Sequence, residues 1–127
     1  MKVTGIETAV LHVPCPSPMS LEFPDHRMVA AFIDTDEGVR GFGYSLAFGG
    51  GGAEAIQVYL ETRLKPLLIG EDPRMVGKLW EKMFRGDRGI RRVGLAGYGV
   101  AALDIALWDL AGKIAGQPLF RMWGAVT

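Results

Sequence analysis

Four consecutive glycines, Gly49 to Gly52, divide this chain into two halves with different hydrophobic periods. Before them lie three runs rich in β-branched residues: VTGIETAVLHV (3–13), RMVAAFIDT (27–35) and VRGFGYSLAF (39–48). The acidic DEG turn between the last two makes an antiparallel hairpin the natural reading. After the glycines, Ile56, Tyr59, Leu60, Leu64 and Leu67 recur at three- and four-residue spacing, the mark of a helix with one buried face. Pro66 kinks or ends that helix, and Gly70 stops what remains. A second helix is expected over PRMVGKLWEKMF, with Asp72 as N-cap, Pro73 at the first helical position and Met75, Leu79, Trp80 and Met83 on one face. A long helix follows from about Leu95 to Ala115, and QPLFRMWG adds a short helical turn. Strands first and helices afterwards predict an α+β fold: a three-stranded antiparallel meander over about 3–48, then a helical bundle over about 53–123.

The glycine run invites a phosphate-binding reading, which its surroundings oppose. A P-loop needs GxxxxGK[ST], yet Ala53, Glu54 and Ala55 follow here, and the next lysine is Lys65. A dinucleotide fingerprint needs GxGxxG inside a βαβ unit, and more helix follows instead. Four glycines do supply a hinge, because each adopts backbone angles closed to other residues. The stretch PCPSPMSLEFPDH (14–26), with four prolines, reads as a long loop.

At 127 residues the chain suits one domain with a single core. Fourteen basic residues balance fourteen acidic ones, so nothing draws the chain as a whole to nucleic acid or an anionic membrane. Cys15 has no partner for a disulfide, Glu7 interrupts what would be a signal-peptide core, and the longest uncharged run is glycine-rich and short of a membrane span. These features lead to the expectation of a cytoplasmic protein. Leu119, Phe120, Met122 and Trp123 cluster near the C-terminus, which suggests a chain that continues or an end that docks on something.

Two further clusters are discounted. DTDEG (34–38) resembles the start of a calcium loop, but Gly38 and Ser45 occupy the fifth and twelfth positions, where ligands are needed. RGDRGIRR gathers Arg85, Arg88, Arg91 and Arg92 without an interleaved aromatic, in a neutral chain, and reads as a solvated or domain-facing loop.

The most informative stretch is AALDIALWDLAGK (101–113). Asp109 and Lys113 stand one turn apart in the acid-before-base order of an ion pair. Asp104 falls on another side, with Val100, Ala101, Leu107 and Trp108 as helical neighbours, so its carboxylate is expected to be buried and paired, an arginine of residues 85–92 being a candidate partner. It reads as a structural acid, since no histidine, cysteine or paired acid lies near it in sequence.

Together with Pro118 and Leu119, this stretch resembles the helix signature of the mandelate racemase and muconate lactonizing subgroups of the enolase superfamily, with Asp104, Trp108, Asp109 and Lys113 as its structural signature. The order of strands, proline-rich loop, glycine flap and helices resembles that superfamily's N-terminal capping domain over the whole chain; Met122 departs from the more usual leucine. The resemblance implies a C-terminal TIM barrel that supplies the Mg²⁺ ligands and the bases removing a proton α to a carboxylate, so this chain has no catalytic or metal-binding residue of its own and is inactive alone. The complete enzyme would be a racemase or an acid-sugar dehydratase acting on a small carboxylic acid, and a homo-oligomer. The cap would contribute closure: Cys15 to His26 and Ser45 to Gly52 fold over the barrel mouth, with Met19, Phe23, His26, Ser45 and Phe48 as substrate contacts and Gly49, Gly50, Gly51 and Gly52 as the hinge. His12, within a strand, is expected to be a surface or core residue. The competing reading is a stand-alone binding or assembly module that uses the apolar LFRMW segment.

Overall fold

The computed structural model describes residues 1–14, 25–47, 51–86 and 94–124. Three strands, β1 (Val3–Pro14), β2 (Asp25–Thr35) and β3 (Arg40–Ala47), form an antiparallel sheet in the order β1-β2-β3. The hairpin between β2 and β3 is set by Thr35, whose hydroxyl donates to the Val39 carbonyl at 2.8 Å and accepts from the Val39 N–H at 3.0 Å. Gly38 completes the turn at φ 78, a left-handed angle that favours glycine. Register follows the alternation of side chains. Ile6 lies opposite Ile33 on the inner face, and Phe32 opposite Phe42 on the outer one.

The segment 53–70, expected as a helix that Pro66 kinks or ends, is three pieces: α1 (Ala53–Tyr59), a π-helical turn (Leu60–Leu64) and α2 (Lys65–Leu68). Pro66 accounts for the break. Lacking an N–H, it cannot donate to the carbonyl four residues back, and just before it the Lys65 N–H reaches the Leu60 carbonyl, five residues back. Gly70 and Glu71 then bond to Val3 through their backbones, each at 2.9 Å, closing the start of β1.

Helix α3 (Val76–Arg85) begins later than the sequence suggests. Asp72 does not cap it; its carboxylate accepts from the Arg74 N–H at 3.0 Å and from the Arg74 guanidinium, so residues 72–75 form a turn. Val76, Leu79 and Met83 are buried, while Met75 is exposed. Helix α4 spans Leu95–Ala115 as expected. It ends at Gly116 in the left-handed conformation, and Pro118 opens the short α5 (Leu119–Met122).

The core lies between the sheet and the helices and is built from Ile6, Val29, Ile33, Leu60, Leu64, Leu79, Leu103, Leu107 and Leu110. Helix α4 packs directly on β3, and two glycines allow it. A Cβ at Gly43 would stand 2.1 Å from the Ala102 carbonyl oxygen, and one at Gly41 2.4 Å from that of Ala106. The helix is long and apolar enough, by length and composition, to cross a membrane; half of that stretch is buried against the rest of the fold.

Candidate functional site

The two expected flaps spring from one end of the fold. β1 ends there at Pro14, β2 starts beside it at Asp25, and β3 ends at Ala47, opposite Arg27. The start of α4 reaches the same place: Leu95 and Tyr98 join Ala47, Gly51, Gly52 and Ile56 around a cavity of about 160 Å³. That volume, bounded by the described residues, is below the roughly 300–1,000 Å³ of small-molecule pockets. The larger hollow, about 330 Å³ beside Gly112, Gly116 and Leu119, lies at the opposite end of α4.

Of the expected substrate contacts, Met19, Phe23 and Phe48 lie outside the described residues, as do the hinge positions Gly49 and Gly50. His26 is half-buried at the start of β2, opposite Val13. Ser45 points into the core; its hydroxyl is sealed from solvent and has no hydrogen-bond partner among the described residues. Gly51 and Gly52 stand in open space, and Gly52 takes φ 87 as it caps α1. His12 is exposed on β1.

Arg27, which no motif singles out, ties this end of the fold together. Its guanidinium meets Glu54 in the first turn of α1 at 2.5 Å, bridging β2 to the helix beyond the glycines. Glu54 also stands where the helix dipole favours an acid. The clue was present in the acid just after the glycine run, but no local spacing says which base it meets.

The signature helix carries a different kind of site. Asp109 and Lys113 pair at 2.6 Å, as their spacing implies. They also complete the free edge of β3: the Phe42 N–H donates to Asp109 at 2.8 Å, and the Lys113 ammonium donates to the Arg40 carbonyl at 2.8 Å. The two side chains thus stand in for a fourth strand. Asp104 is half-buried, and burial pushes its carboxyl above the usual carboxylate range. Among the described residues no hydrogen bond or ion pair reaches it. Arg85 is paired with Glu81 at 2.5 Å, and Arg88, Arg91 and Arg92 lie outside the described residues.

No three His, Cys, Asp or Glu side chains gather as a metal site among the described residues. The described part of the chain therefore does not fit a magnesium ion.

Comparison with known proteins gives this arrangement a context. Residues 5–124 match the family model for the mandelate racemase / muconate lactonizing enzyme N-terminal domain. The chain is 41% identical over 97 residues to an arabinonate dehydratase of Saccharolobus solfataricus, covering 76% of this chain and 26% of that protein. It is 37% identical over 101 residues to a D-mannonate dehydratase of Novosphingobium aromaticivorans, covering 80% of this chain and 24% of that protein. It spans about a quarter of the length of these curated relatives. Among solved structures, a Streptomyces coelicolor racemase with bound magnesium superposes at TM-score 0.90 and 26% identity, over 98% of this chain and 36% of that one. An L-talarate dehydratase of a Polaromonas species, complexed with Mg and L-glucarate, superposes at TM-score 0.86 and 29% identity, over 99% of this chain and 33% of that one. With its order of strands and helices and its signature helix, the chain belongs to the mandelate racemase / muconate lactonizing enzyme family of the enolase superfamily, as the N-terminal domain.

Proposed function

We propose that this chain is the cap of a magnesium-dependent enzyme that removes a proton α to a carboxylate, an acid-sugar dehydratase or a racemase, and that it works by closing over a C-terminal TIM barrel. The match of residues 5–124 to the family's N-terminal domain carries the reading. The dehydratases and racemase to which the chain is similar add to it. The bases and metal ligands would belong to the barrel. The cap alone would be inactive, and the whole enzyme a homo-oligomer in the cytoplasm.

The role of the cap follows from where its loops are rooted. Segments 15–24 and 48–50 both leave from the end of the sheet where Arg27 and Glu54 are clipped together. A rigid root with glycines beyond it lets a flap move without disturbing the core. Met19, Phe23, His26 and Phe48 would line the distal part of the substrate site, exclude water and select chain length, with Ser45 behind them on the core side of β3. Asp104, Trp108, Asp109 and Lys113 would serve the fold instead.

The test is to express the complete gene product and offer it a panel of aldonic and aldaric acids with Mg²⁺. Keto-acid formation reports dehydration, and exchange of the α-proton in D₂O reports racemisation. Replacing Phe48 with alanine should raise KM about tenfold and change kcat much less, because a wall residue binds ground and transition states alike. Neither turnover nor exchange on any member would sink the reading.

A further inference from the structure

The face of α4 turned away from the sheet is unusual for a surface. Tyr98, Ala101 and Ile105 are exposed along it, Tyr98 at 40% and Ile105 at 41%. Trp108 continues the stripe, and Trp123, 61% exposed, packs edge-on against it with ring centroids 5.4 Å apart. At intervals of three and four residues these side chains form one apolar strip on a helix whose other side is already core. One carboxylate, that of Asp104, stands within it. A partly desolvated acid with no partner among the described residues is costly, and an apolar strip of this length in water is costly too.

We propose that this strip is the seat of the C-terminal domain of the same polypeptide, and that an arginine or lysine of that domain lies on the Asp104 carboxylate. The proposal rests on the cap reading above. Two observations choose the occupant. The curated relatives continue for about three quarters of their length outside the matched region, so a large body of chain has to be placed against the cap. The strip also offers that body a lone negative charge in apolar surroundings, where a cation gains a charge-assisted bond that water would weaken.

The outer face of the sheet is a poorer seat. It too exposes apolar side chains, Leu11, Val13, Phe42 and Tyr44, but its charges are already paired: Arg40 covers the Phe32 ring, and Glu7 and Asp34 hold that guanidinium, so among the described residues it offers a docking domain no uncovered charge to meet. A lipid surface would have to desolvate Asp104 with no cation to meet it.

The experiment uses the complete gene product with Cys15 replaced by serine and single cysteines placed by Ile105→Cys and, separately, Ala101→Cys; Lys78→Cys on the polar side of α3 is the control. Maleimide labelling is compared between the folded and the urea-unfolded protein. The expected result is that both strip cysteines label at least about thirtyfold more slowly when folded, while the control slows only a few-fold. Adding Asp104→Asn should then speed labelling at position 105 by about tenfold, because the cation loses its partner. Rapid labelling of both strip cysteines overturns the seat even where the enzyme turns over acid sugars. Protection that vanishes when the protein is diluted to monomers assigns the strip to a second copy and overturns it as well. Unchanged or slower labelling with Asp104→Asn removes the cation. A reading frame that closes soon after residue 127 overturns both this inference and the cap reading.

Discussion

Asp109, Asp104 and Asp72 are the same side chain in three environments, and each makes a different prediction. Asp109 accepts from a strand N–H and from Lys113, so Asp109→Ala leaves the Phe42 N–H without its partner. Both edge bonds are exposed to water, so the expected cost is about 0.5–1.5 kcal/mol in urea denaturation, with a smaller loss for Lys113→Met, which leaves the Asp109 bond to the strand in place. Burial raises the pKa of Asp104, so the folded state holds its proton to a higher pH than the unfolded chain does. The penalty is absent below the unfolded value, grows as pH rises towards the raised folded value and stays constant above it. Asp104→Asn should therefore raise the melting temperature of the 127-residue chain at pH 7 and leave it unchanged near pH 3. The opposite sign is expected for docking in the whole protein, where the charge has a use. For Asp72, the Arg74 hydrogen bonds hold the carboxyl at about 2. Its contribution is present above the unfolded value and lost as pH falls through about 2; a carbon-13 titration of its carboxyl should find that midpoint.

At the scale of elements, glycine spacing decides how close helix and sheet come. The alternation in RGFGYS places Gly41 and Gly43 on the inner face of β3, against the Ala102 and Ala106 backbone. Gly43→Ala should cost about 3 kcal/mol or more, since the clash is with backbone that has no rotamer to change. Gly51→Ala, in open space, should cost far less; thermal melts of the two variants separate packing glycines from flap glycines. The α4 bounds were legible because apolar periodicity and the Gly116–Pro118 stop act within the chain's own reach. The start of α3 was not, because Asp72 has two local choices, helix cap or turn, and its bonds to Arg74 accompany the turn. The π turn was half legible: Pro66 announced a fault in the ladder but not its form.

For the molecule as a whole, an apolar α4 strip and an exposed Phe120 and Trp123 imply that the 127-residue chain is not content alone in water. It should self-associate in sedimentation and bind a hydrophobic dye, and Trp123→Ser with Ile105→Ser should reduce both without lowering helix content. The order of elements, the bounds of α4, the Asp109–Lys113 pair and the family signature were all determined by sequence, because period, caps and one-turn spacing are local and repeat wherever the same residues recur. The clip between Arg27 and Glu54, the edge of β3 completed by Asp109 and Lys113, and the inward turn of the Ser45 hydroxyl were decided only by tertiary structure. Each joins residues far apart along the chain, or depends on what another element covers, and only packing sets which distant groups come within bonding distance.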